Sequence, residues 1–286
     1  MTRGTGAHIL RRVNRKARQA ERSRAPGFGP RAPLRVGDAR GVVYGTLSPE
    51  LREQVAGWIE AGEVPGAEPI KGRRVVRHGE LLVKFVRRSR SAVPLRRSRV
   101  LRAAAAHERL AWVPVPAPLF ALDLPRGAHY EGLIAMRFVD GRPLHELDGS
   151  GEAIDALGEL IARLHDRGVH HGDLHAQNLL WDGRTWWLLD LDGVRSPLHL
   201  VLERRLEMRQ WGKLLLTPTL AQGTIRRAFD RYASLRPALG DREAAWKRVQ
   251  AYAAEMFYRR ALRSDLPSPA QRGPGLPDRV DSGASR

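Results

Sequence analysis

Two short runs, HHGDLHAQN at His170 to Asn178 and LLDLDG at Leu188 to Gly193, constrain this chain more than any other part of it. Asn178 lies five places after Asp173, and Asp190 lies seventeen places after it. A phosphoryl-transfer site needs one carboxylate beside the attacking hydroxyl and a separate pair of oxygens to hold Mg²⁺ against nucleotide phosphates. These residue types at this spacing supply both. Leu179 to Trp181 and Trp186 to Leu189 read as two short strands joined at Asp182-Gly183. Such a hairpin folds Asp190 back beside Asn178.

Upstream, PIKGRRVVRHGELLVKFVRR reads as strand, turn at His78-Gly79, strand, and places Lys84 between apolar neighbours. A G-x-G-x-x-G run is missing, so a turn covering phosphates must come from Lys71 to Arg74, with Gly72 as its only glycine. Glu108 is the only acid between Lys84 and Asp123, which makes it the local candidate to pair with Lys84. Strands at Leu119 to Leu122 and Leu133 to Val139 lead into a connector, Phe138 to Gly141. Backbone groups near Met136 to Phe138 are candidates to bond a nucleotide base there.

The chain of 286 residues is 42% hydrophobic, enough for one large or two modest domains with a real core. Cysteine is absent, which excludes disulfides, thiolate nucleophiles and cysteine-ligated zinc. No window approaches eighteen uninterrupted apolar residues, and no secretory signal core opens the chain, so a cytoplasmic location is expected. The net charge of +18 and pI near 11.3 favour an anionic partner: nucleic acid, an acidic membrane face or a phosphorylated substrate. Aromatics make up 6% and are not interleaved with the basic runs, which gives base stacking little support and speaks against a specific nucleic acid.

Four segments are expected: a basic flexible arm over 1–40, an accessory strand and helix with a nucleotide-binding lobe over 41–137, a catalytic lobe over 138–263, and a disordered tail over 264–286. Ser48-Pro49-Glu50 marks a helix start and Gly62 its end. Pro94 to Trp112 reads as helix from its alanine run. Ser150 to Gly168 is the clearest helix, with Ile154, Leu157, Leu160, Ile161 and Leu164 on one stripe, Ser150 as cap and Gly168 as close. Three more helices follow over 202–216, 220–235 and 242–263.

ELIARLHDRGVHHGDLHAQNLLW followed by WWLLDLDGVR resembles the bacterial lipopolysaccharide kinases, which phosphorylate Kdo or heptose of the inner core. The similarity takes in GVVYGTLSPEL, EPIKGRRVVRHGELLVKF and VPVPAPLF, and spans about 41–215. It implies an α+β, two-lobed protein-kinase-like fold with a small antiparallel-sheet N-lobe and a mainly helical C-lobe. It further implies ATP and Mg²⁺ as cofactors, Asp173 as the residue that accepts or orients the sugar hydroxyl proton, Asn178 and Asp190 as Mg²⁺ ligands, and Lys84 at the α- and β-phosphates. His175 falls where many kinases put a lysine facing the transferred phosphate. Asp192 is a second candidate ligand, since alternation in LLDLD puts it on the face of Asp190. Gly172 stands where many regulated kinases carry arginine, so no phosphorylated-segment switch is expected.

The implied partners are a lipopolysaccharide core glycolipid and the anionic inner face of the inner membrane, with the protein peripheral there. The oligomeric state stays open. The His-Gly-Asp loop is shared with aminoglycoside and choline phosphotransferases, so a small-molecule phosphotransferase is the alternative. A pseudokinase scaffold is a third reading.

Overall fold

A computed structural model describes residues 29–88, 98–147, 151–195, 200–217 and 222–264. The expected arm over 1–28 and tail over 265–286, the basic stretch 89–97 and the Ser150 cap lie outside the described residues.

A strand already forms ten residues before Gly41. Strands β1 (Arg31–Val36) and β2 (Ala39–Tyr44) form an antiparallel hairpin in the register Val36 to Ala39, with Gly37 at φ 55° in the turn. Leu34, Val36 and Ala39 are buried, which is why this part of the basic N-terminal region joins the core. The flexible arm expected to reach residue 40 is corrected accordingly. Helix α1 (Pro49–Ala61) starts with Ser48 Oγ accepting from the Leu51 N–H and ends at Gly62, φ 69°, whose N–H bonds the Trp58 carbonyl.

Strands β3 (Glu68–Lys71), β4 (Val75–His78) and β5 (Leu81–Arg87) follow. After them come helix α2 (Arg99–Arg109), capped by Ser98, and strands β6 (Pro118–Asp123) and β7 (Tyr130–Arg137). All seven strands make one antiparallel sheet in the order β1-β2-β6-β7-β5-β4-β3. One face packs Val76, Val83, Phe85, Phe120 and Leu133 against Val55 and Trp58 of α1. The other packs Val42, Val86, Ala121 and Ile134 against Val100, Ala103 and Ala104 of α2. Alternation along β5 therefore puts Val83 and Phe85 under α1 and leaves Lys84 on the α2 side.

The second lobe is mainly helical. Strand β8 (Arg142–Pro143) leads to helix α3 (Gly151–Asp166), whose five stripe residues are all buried. Gly168, φ 62°, ends the turn after it. Then come β9 (His170–His171), β10 (Leu179–Trp181), β11 (Trp186–Leu188) and β12 (Val194–Arg195). Helices α4 (Leu200–Leu215), α5 (Gln222–Ser234) and α6 (Arg242–Ser264) complete it. Their core holds Trp186, Trp211, Phe229, Tyr232 and Trp246. The α+β, two-lobed architecture is the one expected.

Helices α3 and α5 approach closely at Gly158, where an added Cβ would lie 2.4 Å from the Ala228 carbonyl oxygen. Gly57, inside α1, has nothing within 4 Å. Gly158→Ala should lower stability by about 1–3 kcal/mol through overpacking. Gly57→Ala should raise it by up to about 1 kcal/mol through helix propensity. Urea unfolding of the two variants checks both signs.

Candidate active site

The 170–178 loop enters through β9 and is fixed by the side chain of its second residue. His171 is fully buried; its Nδ1 accepts from the Asp173 N–H at 3.2 Å. Its other nitrogen therefore carries the proton and donates to the Leu189 carbonyl at 2.8 Å. Burial lowers the pKa of His171, which keeps this tautomer neutral. Asn178 donates from Nδ2 to the Asp173 carbonyl at 2.9 Å, while its own carbonyl accepts from the Leu189 N–H at 2.9 Å. Asp173 is thus held by its backbone from both ends of the loop, with its carboxylate toward solvent.

The expected hairpin forms. Leu179 pairs with Leu188 and Trp181 with Trp186. Asp182 caps the turn by accepting from the Arg184 and Thr185 N–H groups at 2.9 and 2.8 Å and from Trp187 Nε1 at 2.7 Å. Asp190 follows at φ 55°, the only non-glycine residue at positive φ among those described. Aspartate tolerates this left-handed geometry better than most residues, but it still costs about 1–2 kcal/mol. Here its carboxylate forms an ion pair with Lys84 across the cleft.

Lys84, Asp173, His175, Asn178 and Asp190 are therefore brought together, with His175 Nε2 3.4 Å from Asp173 Oδ2 and 3.2 Å from Asn178 Nδ2. Gly72, φ 57°, lies in the turn between β3 and β4, and that turn adjoins Lys84 because Val75 pairs with it. Met136 pairs with Leu82, two residues along β5 from Lys84. The Phe138 N–H is already bonded to the Glu80 carbonyl at 2.8 Å, and the Arg77 guanidinium lies 4.2 Å over its ring. That N–H is not open to a base.

Two expectations are corrected. Glu108 does not pair with Lys84: it accepts from the Tyr44 hydroxyl at 2.6 Å and lies 3.3 Å from Arg31 Nε. The reason is the β1-β2 hairpin, which supplies Tyr44 from β2 and Arg31 from a strand that reading 1–40 as a mobile arm removed. Asp192 sits in a 3₁₀ turn, Leu191–Gly193, so strand alternation does not govern it. Gly172 has a local explanation. Its N–H bonds the Gly193 carbonyl at 3.0 Å, and a Cβ there would come within 2.5 Å of that oxygen, so no side chain fits.

One residue beside Asp173 was not foreseen. Lys213 of α4 reaches Asp173 Oδ1 at 3.1 Å and bonds the Gly172 carbonyl. Nothing in the sequence marks it, since it lies forty residues on in a helix rich in arginine.

The donor set fits Mg²⁺. With Nδ2 of Asn178 turned to Asp173, its Oδ1 is the atom left to accept a cation, and the Leu189 bond sets Asp190 next to it. Among the described residues no group of three or more His, Asp or Glu side chains makes an all-protein metal site. Two oxygens with phosphates and water are what Mg²⁺ usually takes.

A lysine on the sheet of one lobe, an Asp-Asn loop and an aspartate after a hairpin on the other thus meet at one cleft. The family model "Phosphotransferase enzyme family" matches residues 66–169. Among curated proteins, the chain is similar to a 3-deoxy-D-manno-octulosonic acid kinase of Stenotrophomonas maltophilia, 35% identical over 139 residues, covering 46% of this chain and 53% of that protein. One of the same name from Xanthomonas axonopodis pv. citri is 42% identical over 102 residues, covering 33% and 41%. The chain thus spans about half the length of the curated relatives it matches. Among solved structures, a glucosamine kinase with glucosamine, ADP and inorganic phosphate matches at TM-score 0.44 and 15% identity, covering 82% of this chain and 90% of that one.

Four histidines are held neutral by burial. His107 and His170 are each lowered to about 4, and His165 and His171 are lowered too. The folded chain therefore binds fewer protons than the unfolded chain below about pH 6.5. Stability should be complete above that pH and fall as pH drops toward 4, by up to ~1.4 kcal/mol per pH unit for each histidine. Urea midpoints measured across that window check this; a flat profile would contradict the assigned neutral state.

Proposed function

We propose that the chain is an ATP- and Mg²⁺-dependent phosphotransferase whose acceptor is a sugar hydroxyl of the lipopolysaccharide inner core, with Kdo as the preferred sugar. The convergence of Lys84, Asp173, Asn178 and Asp190 on one cleft carries this reading, and the names of the similar curated proteins support the acceptor.

Asp173 orients the acceptor hydroxyl and takes its proton, because its carboxylate is the solvent-facing acid at the loop. Asn178 and Asp190 would hold Mg²⁺, which when bound supplies charge neutralisation for the transferred phosphoryl group. Lys84, paired with Asp190, would neutralise the α- and β-phosphates of the nucleotide. The turn at Lys71 to Arg74 adds three cations beside it. The net charge of +18 suits work at an anionic membrane face, and among the described residues no helix is long and apolar enough to cross a membrane.

Purified protein with labelled ATP, Mg²⁺ and Kdo-lipid A should incorporate label. Asp173→Asn should reduce turnover by about two to four orders of magnitude while ATP binding persists. Unchanged turnover in that variant removes Asp173 from the reaction.

A further inference from the structure

Beside Asp173, β9 and one face of α4 enclose a cavity of about 90 Å³ that the phosphoryl-transfer chemistry does not use. His170, Gly172, Arg209, Gln210 and Lys213 line it. Its protonation pattern follows from one fixed point. Gln210 Oε1 accepts from the His171 N–H at 2.9 Å, so its Nε2 is the amide nitrogen. That nitrogen donates to His165 Nε2 at 3.0 Å and to His170 Nδ1 at 3.1 Å. Both rings accept at those atoms, so the proton of His165 is on Nδ1, facing the Tyr232 hydroxyl at 3.0 Å, and that of His170 is on Nε2. His170 is 2% exposed, and its Nε2 is buried with no hydrogen-bond partner.

The charges lining the cavity are positive. Lys213 has three N–H donors and uses two, on Gly172 and Asp173. Arg209 stands one turn before it on α4, exposed, and among the described residues no carboxylate meets it. The acid nearest in sequence, Glu207, is buried in a separate network with Arg236 at 2.8 Å and Tyr232 at 3.3 Å. Among the described residues Asp173 is the one carboxylate that meets a cation of the cavity, and Lys213 already matches it.

We propose that this cavity is an oxyanion subsite for the acceptor: Arg209 and the third donor of Lys213 bind a carboxylate or phosphate of the sugar and so set its hydroxyl against Asp173. The inference rests on the phosphotransferase reading for the identity of the ligand, while the binding itself is separable from it. A carboxylate carried by the sugar acid and a phosphate carried elsewhere on the glycolipid share this chemistry.

Calorimetric titration of the full chain with three probes separates them: free 3-deoxy-octulosonic acid, its uncharged carboxamide, and inorganic phosphate. The acid should bind about 10- to 100-fold more tightly than the carboxamide, and Arg209→Gln, a surface change, should erase that preference while ATP-analogue affinity is kept. Phosphate binding that Arg209→Gln abolishes, without acid preference, supports the subsite with phosphate as its ligand. Equal or absent binding of acid, amide and phosphate, or a preference that survives Arg209→Gln, overturns the proposal. Phosphorylation of Kdo-lipid A is scored in parallel. Transfer without anion preference refutes the subsite alone, and anion preference without transfer refutes the acceptor reading alone.

Discussion

Leu189 is the residue on which the cleft depends, through its backbone alone. Its N–H donates to the Asn178 carbonyl and its carbonyl accepts from the His171 ring, so one residue ties the end of β11 to both ends of the 170–178 loop. Both bonds end on buried residues, His171 and Asn178, and an unmade hydrogen bond of a buried group costs about 1–3 kcal/mol. The positions of Asp173, Asn178 and Asp190 follow from them. The side chain of residue 189 contributes little to this, which is why its apolar identity gives no hint of its importance.

The Lys84–Asp190 ion pair follows next. Asp190 leaves β11 in the left-handed region, a local cost that the surrounding bonds must offset. Its carboxylate is thereby turned toward a lysine on the other lobe. Side chains of the pair are 25% and 36% exposed, so water and salt weaken the attraction, and it is a partner that a more highly charged ligand can displace. The pair thus joins the two lobes across the cleft. Lys213 plays a comparable part on the other side of Asp173, linking the loop to α4.

Much of this was legible because the signals were local. Alternation around Lys84, the Ser48-Pro49 start and Gly62 stop of α1, the stripe of α3 and the hairpin after Asn178 each specify structure within a dozen residues. The errors came from contacts distant in sequence. Glu108 was matched to Lys84 by elimination among nearby acids, but the sheet order places β2 where Tyr44 can reach it. The Gly37-Asp38 turn was a readable hairpin signal, obscured by the arginines around it. Lys213 and the Gln210 network could not be read at all: their roles depend on which face of α4 meets β9, and that is set by the packing of three helices.

The central claim is that Asp190, set by the Leu189 bonds, holds Mg²⁺ against a triphosphate whose charge Lys84 shares. The most direct measurement is the affinity of a non-hydrolysable ATP analogue with and without Mg²⁺, in the parent chain and in Asp190→Ala. The account predicts binding at least about tenfold tighter with Mg²⁺ in the parent chain, and loss of that dependence in the variant. Equal affinity with and without the metal in the parent chain, or a metal dependence unchanged by Asp190→Ala, would contradict it.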